Sequence, residues 1–389
     1  MKRLMGYSRF FAIFSALWLL AAPAWSQPQW AQGEWRAERI APGIRHIRHV
    51  LPEGPIVVHV LEIDLRRREV GIETVLAKNR LAGREKTSVM AARPCHPGHE
   101  IIAAVNGDFF SWEGPPINMQ VRGGEIIRSP RHRAVFAMDH RGRPIIDYFQ
   151  LKGELLLNTG TSITIDHVNA ARNTDELVLY NAFWSDSTHT NAYGTEVLLQ
   201  PLMRFMVGDT VRMVVRQVRS HGPGFPLRPG LYVLSGHGKK SALLEQRLSR
   251  GDTVALVFRL EPGNVKITEA VGGLPWLIRE GNWFINWREE GAKRPFAENK
   301  HPRTAVGYTV RRDTLYLVTV DGRQQGYSVG MTLYELAEYM QNLGCYQAIN
   351  LDGGGSTTMV IRGRVVNRPS DATGERPVAN AILVVRKKR

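Results

Sequence analysis

Three stretches of the sequence repeat one plan, and this repetition constrains the fold more than any other feature. In each stretch an apolar run ends in arginine, and a glycine-containing turn (VRGGE, IREGN or IRGRV) leads into a second run. A polar loop follows, and then an arginine leads a third run; these arginines are Arg133, Arg303 and Arg376. Apolar runs on both sides of a glycine turn are typical of β-hairpins, although turn signals this common also allow a chance resemblance.

The rest of the chain consists mostly of short apolar runs. Helical periodicity is clear only in TLYELAEYMQNLG, with Thr332 as its N-cap, and in SALLEQRLSRG and SVMAARP. We therefore predict an α+β (mixed α/β) fold with a strand-rich core built from repeated hairpins and a few helices. Residues 150–267 lack the hairpin plan, which predicts an inserted β-rich subdomain between two segments of one domain, 27–149 and 268–389.

The first residues of the chain have the pattern of a secretory signal peptide. Lys2, Arg3 and Arg9 precede the apolar run FFAIFSALWLLAA, and small residues follow it in APAWSQ. The run is short for a membrane span, so an uncleaved anchor is the alternative. We predict a signal peptide over residues 1–26 and a periplasmic or extracellular protein without a stable membrane span after its removal.

Charge and cysteine content add two expectations. The formal net charge of +15 is dispersed and forms no dense basic run interleaved with aromatic residues, which argues against nucleic acid as a partner. It is compatible with solubility, with envelope association or with an anionic substrate. The two cysteines, Cys95 and Cys345, can form one disulfide in an exported protein, or each can stay free.

Each hairpin follows a turn rich in glycine or Asx residues. These turns are NGDFF (106–110), AVGGLPW (270–276) and NLDGGGSTT (350–358). If the hairpins pack around one sheet, the three turns should converge on one site.

Several residues at or near these turns can carry chemistry. Asp108, Asp321 and Asp352 each follow an apolar run, although an Asx-Gly turn also satisfies its own backbone groups. In the third turn, the N–H groups of three consecutive glycines can face an anion, although the same glycines would also suit a plain hairpin. Arg303 and Arg376 are candidate anion clamps because a guanidinium binds phosphate in a bidentate manner.

Other catalytic patterns are absent from the sequence. There is no HExxH, HxH or CxxC spacing, which argues against zinc for His96, His99 and His237. The sequence also lacks a Walker motif. No cofactor is expected, and a divalent cation stays open.

The motifs NGDFF, AVGGLPWLI, HPRTAVGYT, VDGR, NLDGGGSTTM and ERPVANAILV together resemble the phosphodiester glycosidase family, over about residues 100–145 and 268–386. The resemblance implies an exported glycosidase that cleaves an α-N-acetylglucosamine-1-phosphodiester-like bond of an envelope or extracellular glycan. The products would be a sugar and a phosphomonoester. Segments 27–149 and 268–389 would then form the catalytic domain, and the partner would be an anionic phosphodiester-linked glycan.

The resemblance also implies the roles of individual residues. The catalytic candidates are Asp108, Asp321, Asp352 and Arg303. The substrate- and phosphate-binding candidates are Asn106, Gly272, Gly273, Thr304, Arg323, Gly353, Gly354, Gly355, Ser356, Thr357, Arg376 and Asn380. Two alternatives are a metal-dependent phosphodiesterase with the three aspartates as ligands and a non-catalytic envelope polysaccharide-binding protein.

Overall fold

The computed structural model describes residues 33–52 and 54–387. The signal peptide predicted over residues 1–26 lies outside the described residues. Within them, none of the helices has the length and apolar character needed to span a membrane.

The described chain is mostly β-strand, with a few short helices. The strands of the first part are β1 (Glu34–Ala41), β2 (Ile44–Leu51), β3 (Ile56–Asp64), β4 (Val70–Leu76), β5 (His99–Asn106), β6 (Gln120–Arg122), β7 (Glu125–Arg128), β8 (Val135–Asp139) and β9 (Pro144–Asp147). Those of the middle part are β10 (Gln150–Leu156), β11 (Ser162–Ile165), β12 (His167–Val168), β13 (Leu177–Tyr180), β14 (Gly194–Pro201), β15 (Thr210–Ser220), β16 (Tyr232–His237) and β17 (Thr253–Glu261). Those of the last part are β18 (Ile267–Gly272), β19 (Trp276–Arg279), β20 (Asn282–Trp283), β21 (Arg303–Tyr308), β22 (Thr314–Val320), β23 (Gln347–Asn350), β24 (Met359–Ile361), β25 (Arg364–Val365) and β26 (Asn380–Lys387).

The strands form four sheets. The central sheet has the order β1-β2-β3-β22-β21-β23-β19-β20, and the terminal sheet has the order β25-β24-β5-β26-β4. The hairpin sheet has the order β7-β6-β18-β8-β9, and the insert sheet has the order β11-β10-β17-β15-β14-β16-β13-β12. Pairing is antiparallel throughout the described strands, except between β12 and β13.

The three repeated hairpins of the sequence are present as β6–β7, β19–β20 and β24–β25. They do not pack around one sheet, since each lies at the edge of a different sheet. In the terminal sheet, the interior strand β26 is apolar from residue 381 to residue 385. It lies between β5 and β4, where a strand is buried on both faces.

The segment predicted as an inserted subdomain forms the whole insert sheet, since every strand of this sheet falls between residues 150 and 261. It has a small apolar cluster of its own around Tyr180 and Phe225, but its larger core is shared. Leu155, Leu199 and Leu256 share one buried cluster with Val121 and Val135 of the hairpin sheet. The insert sheet is therefore packed onto the hairpin sheet and not carried as a separate lobe.

The three predicted helices are present as α1 (Thr87–Ala92), α2 (Gly238–Arg247) and α4 (Leu333–Asn342). Thr332 caps α4 as predicted: its side chain accepts a hydrogen bond from the Glu335 N–H, and Glu335 accepts one from the Thr332 N–H. The sequence analysis missed the short α3 (Arg294–Glu298), which has a proline as its second residue.

The two cysteines are not paired. Cys95 is exposed after α1, whereas Cys345 is buried in the apolar cluster between α4 and the central sheet. The disulfide that the sequence allowed is therefore not formed, because the two thiols belong to different layers of the fold.

Candidate active site

The turns that precede the three hairpins meet at one place, as the sequence predicted, even though the hairpins belong to different sheets. The Asp352 N–H donates to the Gly107 carbonyl at 3.0 Å, and the Leu274 N–H donates to the Asn350 carbonyl at 2.8 Å. A Cβ placed on Gly272 would lie 2.8 Å from Asp108 Oδ2. Residues of all three turns are thus in direct contact.

Two buried asparagines fix this junction. Asn106 donates to the Asp352 carbonyl at 2.6 Å and accepts from the Thr304 hydroxyl and the Thr358 N–H. Asn380 accepts from the Asp108 N–H at 2.8 Å and donates to a glutamine on β6. Asn106, Thr304 and Asn380 had been predicted to bind substrate; their polar groups instead hold the turns that carry the two aspartates.

Asp108 is buried, with 1% of its surface exposed. Its Oδ2 accepts a hydrogen bond from the Asn118 N–H at 2.7 Å, while Oδ1 has no partner within the described chain. Burial raises the pKa of Asp108 to about 7; the Asn118 N–H and the Arg133 charge oppose this, and the Asp352 carboxylate adds to it. A buried carboxyl oxygen without a partner is costly unless a substrate or water engages it.

Asp352 lies beside Asp108 and keeps part of its surface exposed. Its Oδ1 accepts a hydrogen bond from the Gly353 N–H at 2.9 Å. Burial raises the pKa of Asp352 to about 6, although the nearby Ser356 hydroxyl, the Gly353 N–H and the Arg376 charge favour its ionised form. Two neighbouring carboxyls with different raised pKa values are a common arrangement for acid–base catalysis.

The glycine turn has a different construction from the predicted anion nest. The Gly353 N–H donates to Asp352 and the Gly354 N–H donates to the Pro302 carbonyl at 2.9 Å, so both are already used. Within the described chain, only the Gly355 N–H of the three has no hydrogen-bond acceptor.

The need for three glycines is steric. A Cβ on Gly353 would lie 2.6 Å from the Pro302 carbonyl oxygen, and Gly354 has a positive φ of 62°. A Cβ on Gly355 would lie 2.0 Å from Asp371 Oδ1 and 2.2 Å from an Arg376 nitrogen. The glycines therefore let a backbone carbonyl and an ion pair approach the turn closely.

Two arginines lie against this turn. Arg376 forms a bidentate ion pair with Asp371, at 2.7 and 2.9 Å, over Gly355. The exposed guanidinium of Arg323 lies against Gly354, where a Cβ would be 3.1 Å from its nearest nitrogen. Both predicted phosphate-binding arginines are thus placed beside the Asp352 turn.

Arg303 is placed differently from its prediction as an anion clamp. It is 1% exposed, and its guanidinium donates to the carbonyls of Met331, Phe296 and Asn299 at 2.8 to 3.0 Å. Neighbouring residues of a strand point to opposite faces, so Thr304 faces the site and Arg303 faces away from it. We assign Arg303 a structural role.

The Asp321 carboxyl is also occupied by hydrogen bonds from other residues of the protein. Its carboxyl accepts hydrogen bonds from the Asn367 side chain at 3.0 Å, from the Arg368 N–H and from the Tyr327 hydroxyl. Burial raises its pKa, and these three donors oppose the shift. Because Asn367 also donates to the Thr357 carbonyl, Asp321 positions the segment after the glycine turn.

The predicted pair Gly272 and Gly273 shapes the opposite wall. Neither has a positive φ, but a Cβ on Gly272 would lie 2.3 Å from Asn118 Cβ, and one on Gly273 would lie 2.6 Å from the Asn350 carbonyl oxygen. The Gly273 N–H donates to the Ala134 carbonyl at 2.9 Å. These glycines allow close packing and do not supply free donors.

The sequence analysis omitted some residues of the site. Arg133 lies near enough to Asp108 to lower its pKa, and its place in the first hairpin, equivalent to Arg376 in the third, was a usable signal. Asp371, the partner of Arg376, and Asn118, the donor to Asp108, gave no comparable signal because their contacts depend on the tertiary fold.

No set of three or more His, Cys, Asp or Glu side chains within residues 33–52 and 54–387 is grouped so that it could hold a metal ion. The three aspartates proposed as alternative ligands do not form such a set.

Comparison with known proteins agrees with the resemblance seen in the sequence. The family model for phosphodiester glycosidase matches residues 209–385. The N-acetylglucosamine-1-phosphodiester alpha-N-acetylglucosaminidase of Mus musculus is 37% identical over 121 residues, which are 29% of this chain and 23% of that protein. The chain therefore matches only about a quarter of that relative's length.

Solved structures share the fold over most of the chain. A hypothetical protein from Synechocystis has a TM-score of 0.68 at 20% identity, covering 92% of this chain and 64% of that one. A candidate exported protein from Burkholderia pseudomallei K96243 has a TM-score of 0.63 at 25% identity, covering 87% of this chain and 76% of that one. The likeness to the Synechocystis protein concerns the fold alone.

Proposed function

We propose that this chain, which matches the family model for phosphodiester glycosidase over residues 209–385, belongs to that family and hydrolyses a sugar-1-phosphate diester. The bond would resemble an α-N-acetylglucosamine-1-phosphodiester, and the products would be a free sugar and a phosphomonoester. The catalytic domain would consist of residues 27–149 and 268–389, onto which the insert sheet packs.

The neighbouring Asp108 and Asp352 carboxyls carry this proposal. Their turns are joined by the hydrogen bond from the Asp352 N–H to the Gly107 carbonyl, and burial raises both pKa values by different amounts. Near neutral pH, Asp352 is then mostly ionised while Asp108 keeps much of its proton. Glycosidases commonly use one carboxylate and one carboxylic acid in this way.

The proposed reaction uses these groups at the anomeric carbon. The bond from this carbon to the phosphate oxygen breaks, and its electron pair goes to the phosphate. The Asp352 carboxylate stabilises the positive charge on the sugar, and a water molecule supplies the new hydroxyl. Asp108 gives its proton to the departing phosphate and later recovers one from that water.

The departing phosphate requires charge stabilisation more than it requires a proton. Arg376, Arg323 and the Gly355 N–H surround the glycine turn beside Asp352. Fixed donors aimed at developing negative charge are worth most in a site from which water is excluded. We therefore place the phosphate against this turn and the sugar over the two carboxyls.

We further propose that the protein is exported and acts on an anionic envelope or extracellular glycan. The charged and apolar pattern of residues 1–26 supports export. The net charge of +15 supports an anionic substrate.

The test is a product analysis with the purified protein and a simple α-N-acetylglucosamine-1-phosphate methyl diester, with and without a chelator. Free sugar plus methyl phosphate, with the oxygen of labelled water on the sugar, is the expected result. Sugar phosphate plus methanol, lost on chelation, would instead establish the metal-dependent phosphodiesterase. Sugar binding without either product would establish the non-catalytic alternative.

Matched variants complete this test. Asp108→Asn and Asp352→Asn should each lose turnover while remaining folded. Asp186→Asn, which changes an exposed aspartate of the middle segment, should keep it.

A further inference from the structure

A cavity of about 800 Å³ opens between the insert sheet and the loops next to the candidate active site. One wall comes from residues 128–131 and from Ser111, Glu113 and Pro115, which flank the hairpin sheet. The other wall comes from the middle segment, at residues 167–171, 173, 184, 185 and 189. No role has yet been given to this cavity.

The wall of the cavity is connected to Asp108. The Asn118 N–H donates to Asp108 Oδ2 at 2.7 Å, and the Asn118 side-chain oxygen accepts from the Arg131 N–H at 2.8 Å. Asn118 therefore links Arg131 of the cavity wall to Asp108, the proposed acid, through two hydrogen bonds.

Two arginines give the cavity positive charge. Arg128 is partly buried and Arg131 is exposed, and no ion pair is found for either in the part of the chain that the structure describes. Burial and the Arg131 charge lower the pKa of Arg128, and the Asp108 carboxylate opposes this, so the three groups lie within electrostatic range. Glu113 is an acidic residue of the same lining.

The histidines of the lining are already paired. His167 lies 3.4 Å from Glu176, and His189 lies 2.9 Å from Asp186. Arg128 and Arg131 are therefore the cations of the lining that are left to meet a ligand.

The cavity also has aromatic surface suited to sugar rings. Trp184 is part of its lining. Trp112 lies between two lining residues in the sequence, is 86% exposed, and has the Arg84 guanidinium 5.4 Å from its ring centre. An indole offers a large apolar face and a polar edge, and one this exposed at the rim of a cationic cavity is suited to stacking against a saccharide.

The space continues past Arg131. A second cavity of about 420 Å³ shares Arg131 and His167 with the first. The two cavities therefore adjoin each other along the wall that contains Arg131.

We propose that this cavity binds the units of an anionic oligosaccharide that follow the scissile bond, with Arg128 and Arg131 on its next phosphate and Trp112 on a sugar ring. This inference rests on the proposed function, because it takes the substrate to be a glycan linked through repeated phosphodiesters. The preferred substrate is then an oligomer and not a single sugar phosphodiester.

The test is calorimetric binding of a synthetic trimer of N-acetylglucosamine-1-phosphate units to the Asp352→Asn protein, which should not consume it. In this background Arg128→Ala with Arg131→Ala should weaken binding by roughly tenfold or more, as expected for lost hydrogen bonds to a charged group. Trp112→Ala should weaken binding of the trimer too, and Glu113→Gln should strengthen it at low salt. The matched control is Arg247→Ala with Arg250→Ala, which removes two exposed arginines near α2 and should change nothing.

Unchanged trimer affinity in the Arg128/Arg131 double variant would overturn the inference. The same measurements, together with trimer hydrolysis by the unaltered protein, distinguish failure of this inference from failure of the proposed function. If the unaltered protein fails to hydrolyse the trimer, yet the double variant binds it more weakly, the proposed binding site is supported and the proposed reaction is refuted. If hydrolysis is observed and the double variant binds normally, the proposed reaction is supported and the proposed binding site is refuted.

Discussion

Gly355→Ala should inactivate the enzyme through the ion pair that lies above it. The new methyl carbon would lie 2.0 Å from Asp371 Oδ1 and 2.2 Å from an Arg376 nitrogen. Since non-bonded heavy atoms rest about 3.5 Å apart, the pair must move by about 1.5 Å. The φ of Gly355 is not in the left-handed region, so the alanine backbone itself is unstrained.

The size of the effect follows from this displacement. A shift of about 1 Å in a positioned catalytic group can cost about a hundredfold in rate, which corresponds to about 2.7 kcal/mol. Stability should change much less. The side chains of Arg376 and Asp371 are 40% and 26% exposed, and a pair this exposed contributes about 0 to 1 kcal/mol.

The assay is kcat/KM on the simple diester together with Tm. The control is Gly222→Ala, which also has no positive φ and whose methyl would meet an arginine side chain, at 2.8 Å from Arg219 Cδ in the middle segment. We expect about a hundredfold loss for Gly355→Ala and none for Gly222→Ala. A folded Gly355→Ala protein with normal kinetics would show that the Arg376 pair does not serve the reaction.

Four further predictions concern pH, stability and thiols. The profile of kcat/KM should be bell-shaped: it should rise as Asp352 ionises near pH 6 and fall as Asp108 loses its proton near pH 7. A kcat/KM that does not change over this pH range would contradict both assignments. Because the folded-state pKa of Asp108 is raised, its neutral form supports stability at low pH, and this support is lost as pH rises through about 7. Asp108→Asn should therefore raise Tm relative to the unaltered protein more at about pH 8 than at about pH 5, and an equal difference at both would contradict the assignment. Arg303→Ala should lower stability by about 1 to 3 kcal/mol in a denaturant titration, because it removes a buried donor and leaves carbonyls unpaired. Loss of activity at unchanged stability would instead indicate that Arg303 acts in the site. A thiol reagent should label Cys95 in the native protein and Cys345 only after unfolding, which mass spectrometry can resolve, and no labelling of native protein would indicate a disulfide.

The sequence predicted the parts of the fold that depend on local patterns. The three hairpins, the cap at Thr332 and the strand-rich middle segment were all visible, because turn glycines, cap residues and apolar periodicity act over a few neighbouring positions. The arrangement of the hairpins was not visible. Which strand pairs with which depends on long-range packing, and the three hairpins belong to three different sheets.

The candidate site shows the same division. Asp108 and Asp352 were found because each follows an apolar run and lies in a turn that contains glycine. Arg303 was misassigned because its position in the repeated plan gave no sign of which face of β21 it occupies. The glycine turn was recognised, but the use of its N–H groups by Asp352 and Pro302 depends on contacts made by the folded chain.

The position of β26 has a consequence for how the protein is made. This strand comes at the end of the described chain, yet it lies in the middle of the terminal sheet, where it pairs with β4 and β5 from the first part. During synthesis, β4 and β5 leave the ribosome long before the strand that must separate them. Contacts so distant in sequence form late, and the exposed strand edges are prone to aggregation meanwhile. We therefore expect the nascent chain to depend on chaperones until its last strand is synthesised, and a nonsense mutation a few codons before β26 to yield degraded protein instead of a shortened enzyme.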